Sequence, residues 1–203
     1  MCTGFPVMFH AVEGTEMREG KSPSWFNVDE VTAVKGYVNR LLLKRAGAQL
    51  TQSDIGIITP YASQVKKLRQ AMYDKRDITI DSVEKLQGSE RSMIIILTVH
   101  SNEKYLANDA RFSLGFLKNE KRMNVALTRA RAGLIVVGNP KLLALNKNWR
   151  KLMLWCWDND AWVGAEWDAE EREKCRNDAY DPATDRASEM DRLAATFLGM
   201  TTL

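Results

Sequence analysis

Residues 115–140 constrain the fold more than any other stretch, because they predict a loop, a helix and then a buried strand. Asn119 is a suitable N-cap for a helix that runs to about Arg131. Gly133 is expected to end that helix, and the apolar run 134–137 has the length of a strand. A helix that leads directly into a buried strand is typical of an α/β sheet.

The arginines of this predicted helix fall on two flanks. Arg122 and Arg129 are seven residues apart and share a flank beside the core face of Met123 and Leu127. Arg131 falls on the opposite flank, so a continuous helix would prevent Arg129 and Arg131 from reaching one ligand group. Periodicity alone favours solvated arginines, which are the usual occupants of an amphipathic helix surface.

Further apolar segments alternate with amphipathic ones along the chain. The run 93–99 is rich in β-branched residues, which is typical of a strand buried on both faces. This alternation predicts an α/β fold, a mostly parallel sheet with helices on both faces. The predicted strands are 6–12, 53–59, 77–81, 93–99 and 134–137, and the predicted helices are 28–42 (capped by Asn27, with Glu30 as capping-box partner), 61–73, 119–131 and 149–157.

The charge pattern changes after residue 157. Residues 158–187 are crowded with Asp, Glu and Arg and show little periodicity. The sequence therefore predicts one domain over 1–157 and a charged, weakly ordered tail over 158–203, with a possible terminal helix near 189–198.

Composition excludes several classes of protein. The net charge of +3 permits a nucleic-acid partner without requiring one. Three widely spaced cysteines suit a reducing compartment and show no zinc spacing, so no metal site is expected. No apolar run approaches the ~20 residues needed to span a bilayer, and the first residues do not resemble a signal peptide, so a cytoplasmic location without a membrane partner is expected.

Two local features invite a functional interpretation that their context opposes. The segment from Gly14 to Gly20-Lys-Ser22 resembles a phosphate-binding loop, but it has five residues between its glycines instead of four. Pro23 also disfavours the helix that such a loop must open, so a polar surface loop is expected. His10 lies in the first predicted strand without a nearby second ligand and is expected to be a packed side chain.

Three blocks of the sequence resemble one family. They are Ile55-Gly-Ile-Ile-Thr-Pro-Tyr-Ala-Ser-Gln64, Ser82-Val-Glu-Lys-Leu-Gln-Gly-Ser-Glu-Arg91 and Arg122-Met-Asn-Val-Ala-Leu-Thr-Arg-Ala-Arg131. The second and third resemble motifs V and VI of the superfamily 1B RNA helicases, the group that contains the nonsense-mediated-decay helicase. The opening stretch from Gly4 to Gly14 and the stretch from Leu114 to Asn124 resemble the Armitage-like silencing helicases. The resemblance covers roughly residues 4–157 and implies a second RecA-like domain.

The resemblance implies roles for individual residues. Arg129 matches the arginine finger, the catalytic residue, and Gln87, Gly88 and Glu90 match positions near the nucleotide. The implied ligands are ATP and Mg²⁺, bound only together with the first RecA-like domain. The implied partners are single-stranded RNA, that upstream domain and silencing-complex proteins, possibly in ribonucleoprotein granules. Positions matching RNA contacts are Thr59, Pro60, Tyr61, Gln64, Ser82 and Val83.

The chain departs from the family pattern in two respects. Leu86 replaces the usual aromatic residue of motif V, and Glu84-Lys85 is an uncommon pair there. The phosphate-binding loop, the Asp-Glu box and the Tyr-Arg motif are absent, so the chain alone is expected to be inactive. A non-catalytic module that binds RNA or a partner, and a superfamily 1 DNA helicase domain, are the alternative functions. Ligands of parallel sheets gather at strand ends, and the corner at Thr59, the loop 82–90 and the Arg129 region are all expected near the ends of elements.

Overall fold

The apolar run around residue 95 forms the centre of a six-stranded sheet. A computed structural model describes residues 5–20, 22, 24–43, 49–86, 88–101 and 120–179. The sheet has the order β5-β4-β6-β7-β1-β8, and each neighbouring pair is parallel. Its strands are β1 Val7–Ala11, β4 Ile55–Ile58, β5 Thr79–Asp81, β6 Arg91–Leu97, β7 Ala130–Gly138 and β8 Trp162–Gly164.

Helices cover both faces of this sheet, as the sequence predicted. They are α1 Val28–Leu41, α2 Ala62–Ala71, α3 Glu120–Leu127, α4 Pro140–Leu143, α5 Lys147–Asp158 and α6 Ala169–Ala179, with a short 3-10 turn at Gln52–Asp54. One core lies between the sheet and helices α1 and α2, through residues such as Val34 and Leu68. The other lies under α3 to α6, through residues such as Met123 and Trp149. The predicted RecA-like α/β class is confirmed.

The segment 14–22 does not form the polar surface loop expected from its composition. Part of it is strand β2, Glu16–Arg18, which pairs antiparallel with β3, Trp25–Asn27. Glu16 is buried in this hairpin although its neighbours are exposed. The prediction failed because a three-residue strand with a single inward side chain leaves too short a pattern to detect.

Asn27 caps α1 as predicted, but Glu30 does not complete a capping box. The Asn27 Oδ1 accepts hydrogen bonds from the N–H groups of Asp29, at 3.0 Å, and Glu30, at 3.2 Å. The Glu30 carboxylate turns away from the cap and accepts from the N–H of Val99. A tertiary contact has therefore displaced the local one.

The helix predicted to reach Arg131 ends earlier. Helix α3 ends at Leu127, and β7 already begins at Ala130, so Gly133 lies inside the strand and does not terminate the helix. Ala130 pairs with Arg91 of β6, and Gly133 pairs with Met93. Ladder bonds to the neighbouring strands outweigh the high helix propensity of the alanines and arginines here. The predicted cap, Asn119, lies outside the described residues.

The predicted tail boundary at residue 158 is wrong for residues 158–179. Strand β8 adds to the edge of the sheet beside β1, and the ring of Trp162 stacks on Phe9 with ring centres 4.7 Å apart. Helix α6 packs against α5, where Arg176 forms a two-pronged ion pair with Asp158. Charged outer faces hid elements whose inner residues are tryptophans. The predicted terminal helix near 189–198 lies outside the described residues.

Among the described residues, no helix is long and apolar enough to cross a bilayer. No group of three His, Cys, Asp or Glu side chains in the same ranges is placed to hold a metal ion. His10 is a packed strand residue, as predicted, because its Nδ1 lies 2.9 Å from the hydroxyl of Tyr37.

Candidate functional site

The candidate nucleotide and RNA residues divide between two edges of the sheet. Thr59 follows β4 and Ser82 follows β5, so both lie at the carboxyl ends of strands. Glu90 precedes β6 and Arg129 precedes β7, so both lie at the amino ends. The segment 82–90 runs from one edge to the other, and so does α3. The two groups of residues are thus joined by the same two segments of chain.

Arg129 is held at the amino end of the sheet by its main chain. Its carbonyl oxygen accepts a hydrogen bond of 3.0 Å from the N–H of Arg91, at the start of β6. Its Nε donates to the carbonyl of Val125 at 3.0 Å, and one terminal nitrogen donates to the Thr128 hydroxyl at 3.2 Å. The side chain therefore lies along the last turn of α3 in a fixed position.

The guanidinium of Arg129 keeps its charge available. No carboxylate of the described residues lies within 4.0 Å of it, whereas Arg122 on the same helix pairs with Glu84 at 2.7 Å. The half-buried side chain has one terminal nitrogen without a described hydrogen-bond partner. A positioned cation without a local counter-ion is suited to bind an anion supplied by another molecule or domain.

The segment 82–90 is anchored by its apolar residues and open at its polar end. Val83 and Leu86 are buried in the core that contains Met123, so the leucine that replaces the usual aromatic residue serves packing. Gly88 has a φ of 81°, which favours glycine, and a side chain there would meet open space. Glu90 is exposed, and Gln87 lies outside the described residues.

An ion pair connects this segment to the helix that carries Arg129. Arg122 of α3 lies 2.7 Å from Glu84. Partial burial opposes ionisation of Glu84, but hydrogen bonds from its own backbone and from Ser82, together with the Arg122 charge, hold the pKa of the Glu84 carboxyl below its usual value. The uncommon Glu84 thus links the carboxyl-edge residue Ser82 to α3.

The predicted RNA residues differ in their exposure. Ser82 and Pro60 are half-buried at the carboxyl edge. Thr59 is completely buried, and its hydroxyl has no described hydrogen-bond partner. Val83 is buried in the core, so only its backbone could face a ligand.

Gln64 and Tyr61 have structural partners that explain them without RNA. The Gln64 amide accepts from the N–H of Asn27 at 2.8 Å and donates to the Asn27 carbonyl at 3.2 Å. Gln64 is fully buried, so it holds α2 against β3. The buried Tyr61 hydroxyl lies 2.7 Å from Nε2 of His100. Direct RNA contact by either side chain conflicts with this burial.

A buried polar cluster that the sequence did not reveal holds the chain after β6. Both carboxylate oxygens of Glu30 accept from the N–H of Val99, at 2.9 and 3.1 Å. Val99 has a φ of 72°, a strained conformation for a β-branched residue. The Glu16 carboxylate accepts from the N–H of Ser101 at 3.2 Å, and His100 lies between Glu16 and Tyr61. No sequence pattern announces a carboxylate whose partner is a distant backbone group.

Glu30 predicts a pH dependence of stability. Burial raises the pKa of Glu30 well above its usual value, the Val99 bond opposes this, and the Glu16 charge adds to the rise. Because the folded-state pKa exceeds the unfolded one, the stabilisation is fully present below the unfolded pKa, about 4.3, and is lost as pH rises through the folded-state pKa.

We therefore expect the free energy of unfolding of Glu30→Gln to fall less than that of the wild type between about pH 5 and pH 8. Urea denaturation at several pH values measures it, with the exposed Glu166→Gln as the control. Parallel stability curves for the wild type and Glu30→Gln would contradict the assignment.

A parallel sheet that presents a fixed, unpaired arginine beside an open glycine turn is the arrangement of a second motor domain, which acts on a nucleotide held by another domain. A family model described as an AAA domain matches residues 2–141. The chain belongs to this family, the helicases of the nonsense-mediated-decay type in superfamily 1, with the Armitage-like helicases among its relatives.

Three relatives illustrate the similarity. The putative helicase mov-10-B.1 of Danio rerio is 44% identical over 79% of this chain and 17% of its own length. The RNA helicase Mov10l1 of Homo sapiens is 47% identical over 80% of the chain and 14% of its own length. The probable RNA helicase armi of Drosophila melanogaster is 47% identical over 79% of the chain and 13% of its own length. The chain thus spans less than a fifth of each relative.

Proposed function

We propose that this chain is the second motor domain of an ATP-dependent RNA helicase that moves 5′ to 3′ along single-stranded RNA. The observation that carries the proposal is the Arg129 guanidinium, which is fixed by the backbone and has no carboxylate partner among the described residues. Three relatives are named as helicases, and two of those names specify RNA. The role in RNA silencing or turnover, the cytoplasmic location and the association with ribonucleoprotein granules extend this proposal by family resemblance.

In this proposal Arg129 meets the γ-phosphoryl group of ATP, which is held with Mg²⁺ by a facing RecA-like domain. Negative charge spreads over the phosphoryl oxygens in the transition state, and a planar guanidinium stabilises it by two directed donors. Glu90 and the backbone at Gly88 lie at the same edge as Arg129, where they can contact the nucleotide. Gln87 precedes them in the chain and is proposed to sense the bound nucleotide.

The carboxyl edge is proposed to grip RNA without reading its bases. The Ser82 hydroxyl, with the backbone at Pro60 and Val83, can contact phosphates and sugars there. Thr59, Tyr61 and Gln64 are proposed to support this surface from below, because they are buried. The Arg122–Glu84 ion pair and the segment 82–90 connect RNA contact at one edge to Arg129 at the other.

The proposal predicts a specific pattern of ATP hydrolysis. The chain alone should be inactive, because the phosphate-binding loop is supplied by another domain, whereas a two-domain protein that joins it to a first RecA-like domain should show RNA-stimulated hydrolysis. Phosphate release with and without single-stranded RNA measures both. Activity of the isolated chain would contradict the assignment, and RNA binding without activity in the joined protein would favour the non-catalytic module.

The choice between RNA and DNA is tested on the same protein. Matched single-stranded RNA and DNA of one sequence differ in the 2′-hydroxyl, which the hydroxyl and backbone groups of the carboxyl edge could sense. Stronger stimulation of hydrolysis by RNA supports the proposal. Stronger stimulation by DNA would favour a superfamily 1 DNA helicase.

A further inference from the structure

We infer that single-stranded RNA continues from the carboxyl edge into a second binding surface, the α2–β5 groove, so this inference rests on the proposed function. The groove consists of two neighbouring cavities of about 350 and about 530 Å³. Both are lined by Arg69 and Tyr73, which join them into one trough along the outer side of α2 and the edge strand β5. Nothing in the RNA role assigned to the carboxyl edge uses these residues.

The lining of the groove is strongly cationic. Five cationic side chains and one carboxylate line the two cavities, although the net charge of the whole chain is only +3. That carboxylate, Asp81, is shared by Lys85 at 3.1 Å and Arg69 at 3.5 Å. Lys66 lies 3.6 Å from Glu19, which Lys67 approaches more closely at 2.6 Å. The cations therefore exceed their local counter-ions, as a surface for phosphates requires.

Tyr73 supplies an aromatic surface in the middle of this charge. Its side chain is 76% exposed, whereas its neighbour Met72 is buried in the core. The core therefore gains nothing from the aromatic ring of Tyr73. An exposed ring beside an arginine is a stacking platform for an unpaired base, and such stacking tolerates any base.

Arg69 is positioned rather than free to move. One of its terminal nitrogens donates to the carbonyl of Ile80 at 3.0 Å, although its side chain is 62% exposed. A cation on an edge strand also protects that edge from pairing with another chain. Edge protection alone explains neither the exposed ring of Tyr73 nor the cations at Lys66 and Lys85.

The groove is continuous with the carboxyl edge. Ala62 lines one cavity and directly follows the corner of Thr59, Pro60 and Tyr61, and Lys85 belongs to the segment that begins at Ser82. Helix α2 starts at this edge and runs back for about 15 Å, the rise of ten residues. A strand of RNA that leaves the carboxyl edge along α2 would thus meet Lys66, then Arg69, then Tyr73.

The test measures how the affinity of the 203-residue chain for oligouridylate depends on length. Oligomers of about 6 and about 15 nucleotides span the range of site sizes known for single-strand binders. Tyr73→Ala and Arg69→Ala should each weaken binding of the longer oligomer about fivefold or more, the effect of losing one stacked base, with little change for the shorter one. Ultraviolet cross-linking should label the peptide with Tyr73 only with the longer oligomer.

Matched variants separate stacking from fold and from general charge. Tyr73→Phe keeps the ring and should bind like the wild type, and Lys174→Ala removes an exposed cation of α6, outside the groove. The double variant Lys66→Ala/Lys85→Ala should reduce the slope of log affinity against log salt concentration by about 2.

Two results would overturn the groove. One is unchanged affinity of Tyr73→Ala and Arg69→Ala for the longer oligomer, which would leave the charge to an acidic protein partner. The other is an equal loss for both oligomers, or an equal loss in Lys174→Ala. Retained binding of the shorter oligomer and intact RNA-stimulated hydrolysis in the joined protein would show that only the groove had failed. Absence of all RNA binding by the wild type would overturn the proposed function as well.

Discussion

Replacement of Arg129 by alanine is expected to reduce ATP turnover in the two-domain protein by ~10³–10⁵-fold, the range for loss of an arginine finger. The guanidinium would stabilise charge that develops only in the transition state, so ATP binding should change much less than turnover. Steady-state hydrolysis with RNA present, together with binding of a fluorescent ATP analogue, measures the two effects separately.

The structure offers a close control for this substitution. Arg131 is two residues away, exposed, and within 3.4 Å of the Ser92 hydroxyl, so Arg131→Ala removes the same charge from the same strand start. The alanine variant at 129 keeps the backbone bond to Arg91, so the register of β6 and β7 should survive. Arg129→Lys should remain far below the wild type, since an ammonium lacks the planar fork.

Near-normal turnover in Arg129→Ala would sink the catalytic assignment. An equal loss in Arg129→Ala and Arg131→Ala would also contradict it, because the effect would then follow general charge at this edge. Circular dichroism of each variant establishes that the fold is intact.

Replacement of Trp167 by alanine is expected to lower the free energy of unfolding by about 3–5 kcal/mol, the usual cost of a buried tryptophan. Trp167 is 2% exposed and stacks on Trp162 with ring centres 5.0 Å apart. Its carbonyl accepts a hydrogen bond from Arg172, whose guanidinium lies 4.2 Å from the ring centre of Trp157. Removal of the indole would leave a cavity where β8 meets α5 and α6.

Urea denaturation of the 203-residue chain measures this effect, and the adjacent Glu166→Ala serves as the control. Glu166 is exposed, so its substitution should change stability by less than about 0.5 kcal/mol. A similarly small effect for Trp167→Ala would mean that residues 158–179 form the weakly ordered tail that composition predicted. Trp167→Phe, which keeps an aromatic ring, should fall between the two.

The connection between the two edges of the sheet gives the proposed motor a physical basis. A ligand at the carboxyl edge meets Ser82, and the segment that starts there ends beside Arg129 at the amino edge. The buried residues Val83 and Leu86 tie this segment to the core under α3. A displacement at one edge would therefore be carried by packed side chains and by the Arg122–Glu84 pair rather than by a flexible loop.

The sequence predicted features whose signal is local. The apolar runs determined β4, β6 and the centre of β7, because strands buried on both faces need unbroken hydrophobic residues. Asn27 announced the start of α1, because an N-cap bonds to backbone groups only two and three residues away. The three helicase-like blocks identified the family, because each is a contiguous match.

Tertiary structure decided the features that depend on distant partners. Arg91 and Ala130 are far apart in sequence, yet their pairing ends α3 at Leu127 and fixes Arg129 at the amino edge. Glu30 bonds to Val99, and Gln64 bonds to Asn27, so residues that pattern assigned to a cap and to RNA are buried in the fold. Trp167 packs on Trp162 behind a charged surface. Propensity and periodicity describe neighbours along the chain, and these positions are governed by neighbours in space.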